Sequence, residues 1–417
     1  MSYTAHIDTF ARDNLPPREQ WPELVFARPE LQYPERLNCA AELLDKMVAA
    51  GHGERPAIWA PVDGKPVRCT YRQLLAQANR IARALRENLG LVPGNRVLLR
   101  GPNNPMMAAC WLGIVKAGGI VVATMPLLRA KELTQIAVKA RCSLALCDAR
   151  LLDELEEARP DCPDLKRIVA FNSDGSAALE ALIKDKPDSF DNVDTAADDV
   201  ALIAFTSGTT GGPKGTMHFH RDLLLIADCF GRDILAVGPN DIAIGTPPLA
   251  FTFGLGGLTI FPLRFGAAAV LLEQVSPPEL ARLIEAHRAT MVFTSPTGYR
   301  AMMAAMGEGV DLSSLRIAIA GGETLPQAVL SEWIARTGKP IIEGIGSTEM
   351  LHIFISNRRD DIDPGSVGRP VAGYEAKIVD ADMRDAPDGV PGFLAVRGPT
   401  GCRYLADERQ KIYVREG

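Results

Sequence analysis

The sequence predicts an α/β fold: two helix-covered, mostly parallel sheets forming a large N-terminal domain, plus a small C-terminal β unit. Three observations carry this reading. Short apolar runs recur with helix-length segments between them, as parallel strands joined by crossover helices require. The alternation is interrupted once, by a polar stretch, and then resumes. Beyond about Asn357 the runs shorten and are separated by tight-turn pairs.

The elements follow in order. After a proline-bearing start (Pro16, Pro17, Pro22, Pro29, Pro34), Leu43, Leu44, Met47 and Val48 fall at helical spacing and predict a helix over 39–50. Thr70 and Gln73 read as a capping box, and Leu74, Leu75, Ala78, Ile81, Ala82 and Leu85 mark one face of the helix it opens. Strands are predicted at 97–99, 120–122, 144–146 and 168–170. Residues 184–199 carry six aspartates against two lysines and read as an exposed connection between a first α/β subdomain, 35–190, and a second, 200–356. The second has predicted strands at 200–205, 268–272, 291–294, 315–320 and 340–342, with a helix over 278–287. Strands at 376–379 and 393–396, with Asp388-Gly389 and Pro391-Gly392 between them, make 357–417 a partial β subdomain.

Composition narrows the function. The 417 residues are 47% hydrophobic and 23% charged, which excludes the disordered and fibrous classes. A net charge of -6 gives no basic excess for a nucleic acid or an anionic membrane. The eight cysteines have neither zinc nor redox spacing and read as reduced thiols. The most apolar stretch, 110–128, is broken by Lys116 and Gly118-Gly119, short of the ~20 apolar residues a membrane span needs. The expectation is a soluble, cytoplasmic protein.

The chemistry concentrates in Thr206-Ser207-Gly208-Thr209-Thr210-Gly211-Gly212-Pro213-Lys214-Gly215, directly after a predicted strand. Its glycines let the backbone approach a ligand, its hydroxyls and N–H groups donate, and Lys214, read as an exposed loop lysine, adds charge: a polyphosphate cradle. A Walker A loop would need Gly-Lys-Ser/Thr, whereas Lys214 stands between Pro213 and Gly215.

This loop resembles the signature of the adenylate-forming superfamily of acyl- and aryl-CoA synthetases, peptide-synthetase adenylation domains and luciferases. Ala320-Gly321-Gly322-Glu323-Thr324-Leu325-Pro326 resembles the family's adenine-side loop and Glu343-Gly344-Ile345-Gly346-Ser347-Thr348-Glu349 its second nucleotide motif. Gly368-Arg369-Pro370 and 392–398 resemble the motifs that follow, so the likeness runs from about Pro34 onward. Phe251, where many fatty-acyl members have histidine, and the run from Gly346 to Phe354 resemble the benzoate-CoA and 2-aminobenzoate-CoA ligases. The opening His6 to Arg12 and Tyr33 to Asn38 resemble the 2-aminobenzoate type.

The resemblance implies ATP, Mg²⁺ and coenzyme A as partners of an aromatic carboxylate, which is activated to an aryl-adenylate and then to an aryl-CoA. Thr206, Ser207, Gly208, Thr209, Thr210, Gly211 and Lys214 would hold the β- and γ-phosphates. Thr348 would contact the α-phosphate, Glu349 would ligate Mg²⁺, and Gly321, Gly322, Glu323, Glu343, Gly344, Ile345, Gly346 and Ser347 would surround the nucleotide. Thr206, Lys214, Thr348 and Glu349 are the catalytic candidates, although Glu349 also suits a helix N-terminus. The acyl pocket candidates are Phe251, Thr252, Phe253, Gly254, Gly321, Gly346, Met350, Leu351 and His352, whose aromatic walls suit a flat ring. For His352 a substrate contact and a satisfied core histidine are equally open. His218 and His220 read as structural. The given sequence ends before the family's Thr-Gly-Asp motif and small C-terminal lid domain. The expectation is therefore the large domain without that lid, with a module that binds ATP or an aryl-adenylate without full turnover as the alternative and a homodimer as an open state.

Overall fold

A computed structural model describes residues 3–62, 65–206, 212–306 and 309–417. In chain order the strands are β1 (Pro56–Val62), β2 (Lys65–Thr70), β3 (Arg96–Arg100), β4 (Ile120–Thr124), β5 (Leu144–Asp148), β6 (Arg167–Phe171), β7 (Val200–Thr206), β8 (Lys214–Phe219), β9 (Ile242–Gly245), β10 (Ala268–Val270) and β11 (Met291–Thr294). They continue with β12 (Ile317–Ala320), β13 (Ile341–Gly346), β14 (Ile353–Ser356), β15 (Arg369–Pro370), β16 (Glu375–Val379) and β17 (Phe393–Arg397). Among the described residues they form a six-stranded sheet in the order β6-β5-β3-β4-β7-β8, a nine-stranded sheet in the order β15-β14-β13-β12-β11-β9-β10-β1-β2, and the two-stranded pair β16-β17. All neighbours from β6 to β7 are parallel, as are all from β13 to β1; the antiparallel partners lie at the sheet ends. The predicted class, two helix-covered and mostly parallel sheets with a small β unit at the end, is the class observed.

Its periodic elements follow from local chemistry. Thr70 accepts the Gln73 N–H while Gln73 Oε1 accepts the Thr70 N–H, and the helix Tyr71–Glu87 runs from that box with Leu74, Ala78, Ile81, Ala82 and Leu85 buried. The helix Pro105–Lys116 packs across it and is buried almost all round, which explains why its sequence is apolar on every face. β3, β5 and β11 are buried along their whole length, as central parallel strands are.

Sheet membership departs from the boundary expected near 190–200. β1, from the predicted first subdomain, pairs with β10 of the second and carries β2 with it, and β7 and β8, from the second, close the first sheet against β4. Apolar periodicity reports that a strand is buried, not which neighbour buries it. The connection 184–199 is also less exposed than its aspartates suggest. Thr195, Ala196, Ala197 and Asp199 are buried, and the Asp199 carboxylate accepts the N–H groups of Ala5 and Ala196. Asp199 and Asp194 are thus partners of the N-terminal segment, Asp194 through Arg36, while Asp185, Asp188 and Asp191 stay exposed. The helix expected over 39–50 is present but includes wide, π-type turns at Ala41–Asp45 and Val48–His52.

Candidate functional site

The site lies where the carboxyl ends of β12 and β13 meet the β7–β8 hairpin and the turn before helix Thr252–Leu255. Ligands favour this edge of a parallel sheet because strand-to-helix turns there present backbone amides and short side chains. Residues 207–211 of the phosphate loop (Ser207, Gly208, Thr209, Thr210 and Gly211) lie outside the described residues. Their flanks are placed: Thr206 ends β7 directly opposite Lys214, the first residue of β8. Lys214 is therefore not an exposed loop residue. It is buried, because β8 lies between β7 and the returning 403–405 segment, and its Nζ stands 3.5 Å from Glu349 Oε1 and 4.0 Å from the centre of the Tyr413 ring.

Glu349 sits in the turn between β13 and β14. Burial alone would raise its pKa, but the Tyr404 hydroxyl, the backbone and Lys214 outweigh burial and hold the carboxyl below the usual carboxylate range. The same turn is pinned from behind: His218 Nε2 lies 2.8 Å from the Thr348 carbonyl oxygen. A carbonyl only accepts, so the His218 proton is on Nε2. His218 is neutral, its pKa pushed down to about 3 by burial and by the nearby Arg403. Ser347 Oγ accepts the Met350 N–H, and Leu351 takes a left-handed φ of 71° to complete the turn.

Beside this turn lies a cavity of about 180 Å³, lined by Thr252, Phe253, Gly321, Gly322, Gly344, Gly346, Ser347, Thr348, His352 and Ile353. Nine of those ten are residues singled out in the sequence, and Ile353 is the addition, invisible beforehand because an isoleucine in a strand carries no chemical signal. Gly346 is required by close approach, since a Cβ there would stand 2.9 Å from the His352 carbonyl oxygen. Gly322 is required by backbone conformation, with φ +86°. Phe253 meets Phe293 edge-on at 5.8 Å and His352 at 5.7 Å, which fixes the plane of the ring facing the cavity.

His352 is enclosed by Phe230, Phe253 and Phe261, with ring centres 5.4, 5.7 and 4.7 Å away. Burial pushes its pKa down to about 3, opposed by the Phe253 backbone, so the imidazole is neutral. Neither ring nitrogen completes a hydrogen bond among the described residues. Both nitrogens are shielded from the cavity, with Nε2 on the Gly256 side of the ring, so this neutral imidazole borders the cavity through its carbon face.

The remaining predicted residues are placed elsewhere. Phe251 is 42% exposed at the rim, while Gly254, Met350 and Leu351 are buried behind the cavity wall. Glu323 accepts the Thr297 hydroxyl at the surface. Glu343 turns inward, where burial raises its pKa against the Leu325 N–H it accepts at 2.7 Å, so its carboxylate braces the loop after β12. Ile345 packs against the core from mid-β13. His220 accepts the Cys39 N–H and is a core residue. Sequence reasoning missed Tyr404 and Tyr413, which bracket Lys214 and come from a segment far along the chain.

The donor set fits a magnesium-bound polyphosphate. Among the described residues no cluster of three or more His, Cys, Asp or Glu forms a metal cage. Mg²⁺ needs only one or two protein carboxylates when phosphates and waters complete its shell, and Glu349 supplies one, while Lys214 suits the phosphates themselves. No helix among the described residues is long and apolar enough to cross a membrane.

Comparison with known proteins agrees with this arrangement. The model of the AMP-binding enzyme family matches residues 46–404. Benzoate–CoA ligase of Thauera aromatica is 34% identical over 379 residues, 90% of this chain and 71% of that protein. Anthranilate–CoA ligase of Pseudomonas aeruginosa is 32% identical over 334 residues, 78% of this chain and 62% of that protein. In structure, the anthranilate CoA ligase AuaEII in complex with anthranoyl-AMP superposes with a TM-score of 0.86 at 33% identity, covering 91% of this chain and 74% of that one. A benzoate CoA ligase from Burkholderia xenovorans LB400 gives 0.82 at 29% identity, covering 91% and 76%. With a match to most of its length and a site of this geometry, the chain belongs to the AMP-binding enzymes of the adenylate-forming superfamily and within them resembles the aryl-CoA ligases.

Proposed function

We propose that the chain is an AMP-forming acid–thiol ligase acting on an aromatic carboxylate, with benzoate or 2-aminobenzoate as the acid. The observation that supports this most is the small cavity, walled by Phe253 and His352 and lined also by Thr348, the residue before Glu349. At about 180 Å³ it is sized for one ring: an apolar protein cavity of roughly 150 Å³ holds benzene. A long flexible acyl chain has no counterpart in that volume.

The reaction has two displacements. In the first, a carboxylate oxygen bonds to the α-phosphorus of ATP, the bond from that phosphorus to the bridging oxygen breaks, and pyrophosphate leaves with the electron pair. In the second, the sulfur of coenzyme A bonds to the acyl carbon, the acyl–oxygen bond breaks, AMP leaves, and the thiol proton passes to solvent. Bringing two anions together is the main obstacle to the first step, so charge neutralisation and alignment carry the catalysis. Lys214 supplies a fixed positive charge, and Thr206, opposite it in the hairpin, and Thr348, on the cavity wall, supply hydroxyls. His218 holds the Thr348 turn in place. Glu349 would hold Mg²⁺, which when bound contributes charge stabilisation at the phosphates. The 2-amino group can hydrogen-bond to its own carboxylate, which leaves one N–H for which Thr252 or His352, both on the cavity wall, is available.

Calorimetric titration of benzoate, 2-aminobenzoate and octanoate into the chain with ATP and Mg²⁺ tests the reading. The two aromatic acids should bind within about tenfold of each other, as one modest polar contact of about 0.5–1.5 kcal/mol implies. Octanoate should bind far more weakly. Octanoate binding as tight as that of 2-aminobenzoate would overturn the aromatic assignment.

A further inference from the structure

We propose that Tyr404 is a positioning residue for Glu349, setting the carboxylate that the reading above assigns to Mg²⁺; the proposal rests on that assignment. Tyr404 is fully buried, and its hydroxyl donates to Glu349 Oε1. Lys214 approaches the same oxygen at 3.5 Å. Among the described residues, both side-chain contacts therefore fall on one oxygen of the pair, and Oε2 has no described side-chain partner.

The tyrosine is itself held by the backbone rather than by its hydroxyl. Its N–H donates to Gln410 Oε1 at 2.9 Å. Residues 403–405 run along the outer edge of β8: Tyr404 bridges Thr216, the Met217 N–H donates to the Arg403 carbonyl at 2.7 Å, and the Leu405 N–H donates to the Gly215 carbonyl at 2.8 Å. The strand that begins with Lys214 thus also carries Tyr404 to Glu349. Tyr413 stands edge-on to the Tyr404 ring at 5.5 Å and beneath Lys214, which keeps both in register.

A glutamate has three rotatable bonds, so a metal-binding oxygen on it is poorly placed unless its partner oxygen is anchored. Outer hydrogen bonds to ligating carboxylates have this effect, and their loss typically costs 10–100-fold in metal affinity. Removing the Tyr404 hydroxyl should free the carboxylate without disturbing the backbone ladder that holds the segment.

The test compares Tyr404→Phe, Glu349→Gln and the double variant of the full chain, measuring ATP binding as Mg²⁺ is titrated and, separately, AMP binding without metal. Tyr404→Phe should raise the half-saturating Mg²⁺ by roughly 10–100-fold, with AMP affinity unchanged. The double variant should lose no more than Glu349→Gln alone. An unchanged Mg²⁺ requirement in Tyr404→Phe, or equal losses for ATP and AMP, would overturn the positioning role while leaving Glu349 in place. An unchanged Mg²⁺ requirement in Glu349→Gln would instead remove the underlying assignment, and the proposal with it.

Discussion

Replacing His352 by leucine should make the unliganded protein more stable and a worse binder of a substituted ring. The side chain is 3% exposed, neutral because burial lowers its pKa to about 3, and packed against three phenylalanine rings. Both ring nitrogens lack a hydrogen bond among the described residues, and a buried, unsatisfied polar atom costs about 1–3 kcal/mol. Leucine of similar size removes that cost and introduces a shape mismatch of under ~1.5 kcal/mol. The polar term wins by about 1 kcal/mol, equivalent to a rise of roughly 1 °C in the melting midpoint of a chain this long. The same change removes an imidazole whose nitrogens, shielded in the unliganded protein, reach a ring substituent when the side chain turns on binding. Affinity for 2-aminobenzoate should fall about 2- to 10-fold, the worth of one neutral hydrogen bond, while benzoate, with no ring substituent to contact, changes little. Scanning calorimetry without ligand and titration of both acids with ATP and Mg²⁺ read the two effects separately. A less stable variant with equal losses for both acids would show that His352 is a packing residue with no substrate role.

Three further outcomes are expected. Lys214→Met keeps the aliphatic stem against Tyr413 and removes the charge, so the fold should survive while ATP binding weakens roughly 10- to 100-fold, the loss of one charge-assisted contact; equal ATP affinity in titrations of variant and parent would exclude Lys214 from the site. Phe253→Ala should relax selectivity among substituted benzoates and leave ATP binding in place, because the ring faces the cavity and Phe293 rather than the β7–β8 hairpin; a competition series in which the order of acids stays fixed would contradict this. Acid should destabilise the protein: His218, His220 and His352 have pKa values near 3 in the fold against 6.5 ordinarily. Between those values the unfolded chain binds more protons, so stability is complete above about pH 6.5 and declines as pH falls, by at most about 4 kcal/mol per unit for three protons. Urea unfolding at pH 7, 6 and 5 with no change in midpoint would refute the burial of these imidazoles.

What the sequence determined by itself is local and periodic. The capping box at Thr70 and Gln73, the buried runs that became β3, β4, β5, β11 and β12, and the glycines facing the cavity at 321, 322, 344 and 346 are decided by side-chain chemistry within a few residues of each position. The resemblance of its ordered motifs to one superfamily was equally plain. β1, β2, β8, β9, β14 and β15 were missed: β1 carries Pro56 and Pro61, β2 and β8 mix polar with apolar residues, β9, β14 and β15 are four residues or fewer, and only the partner strand makes each a strand. Tertiary structure alone decided which sheet each strand joins, because a buried run is compatible with any apolar neighbour and register is settled by the whole layer. It also decided which charges meet. Lys214, Glu349 and Tyr404 are separated by 135 and 55 residues along the chain; the motif resemblance assigned the first two to one site, and nothing in the sequence joined Tyr404 to them. They converge because β8 is clamped between β7 and the segment 403–405, and buried charges persist only where the fold brings them a partner.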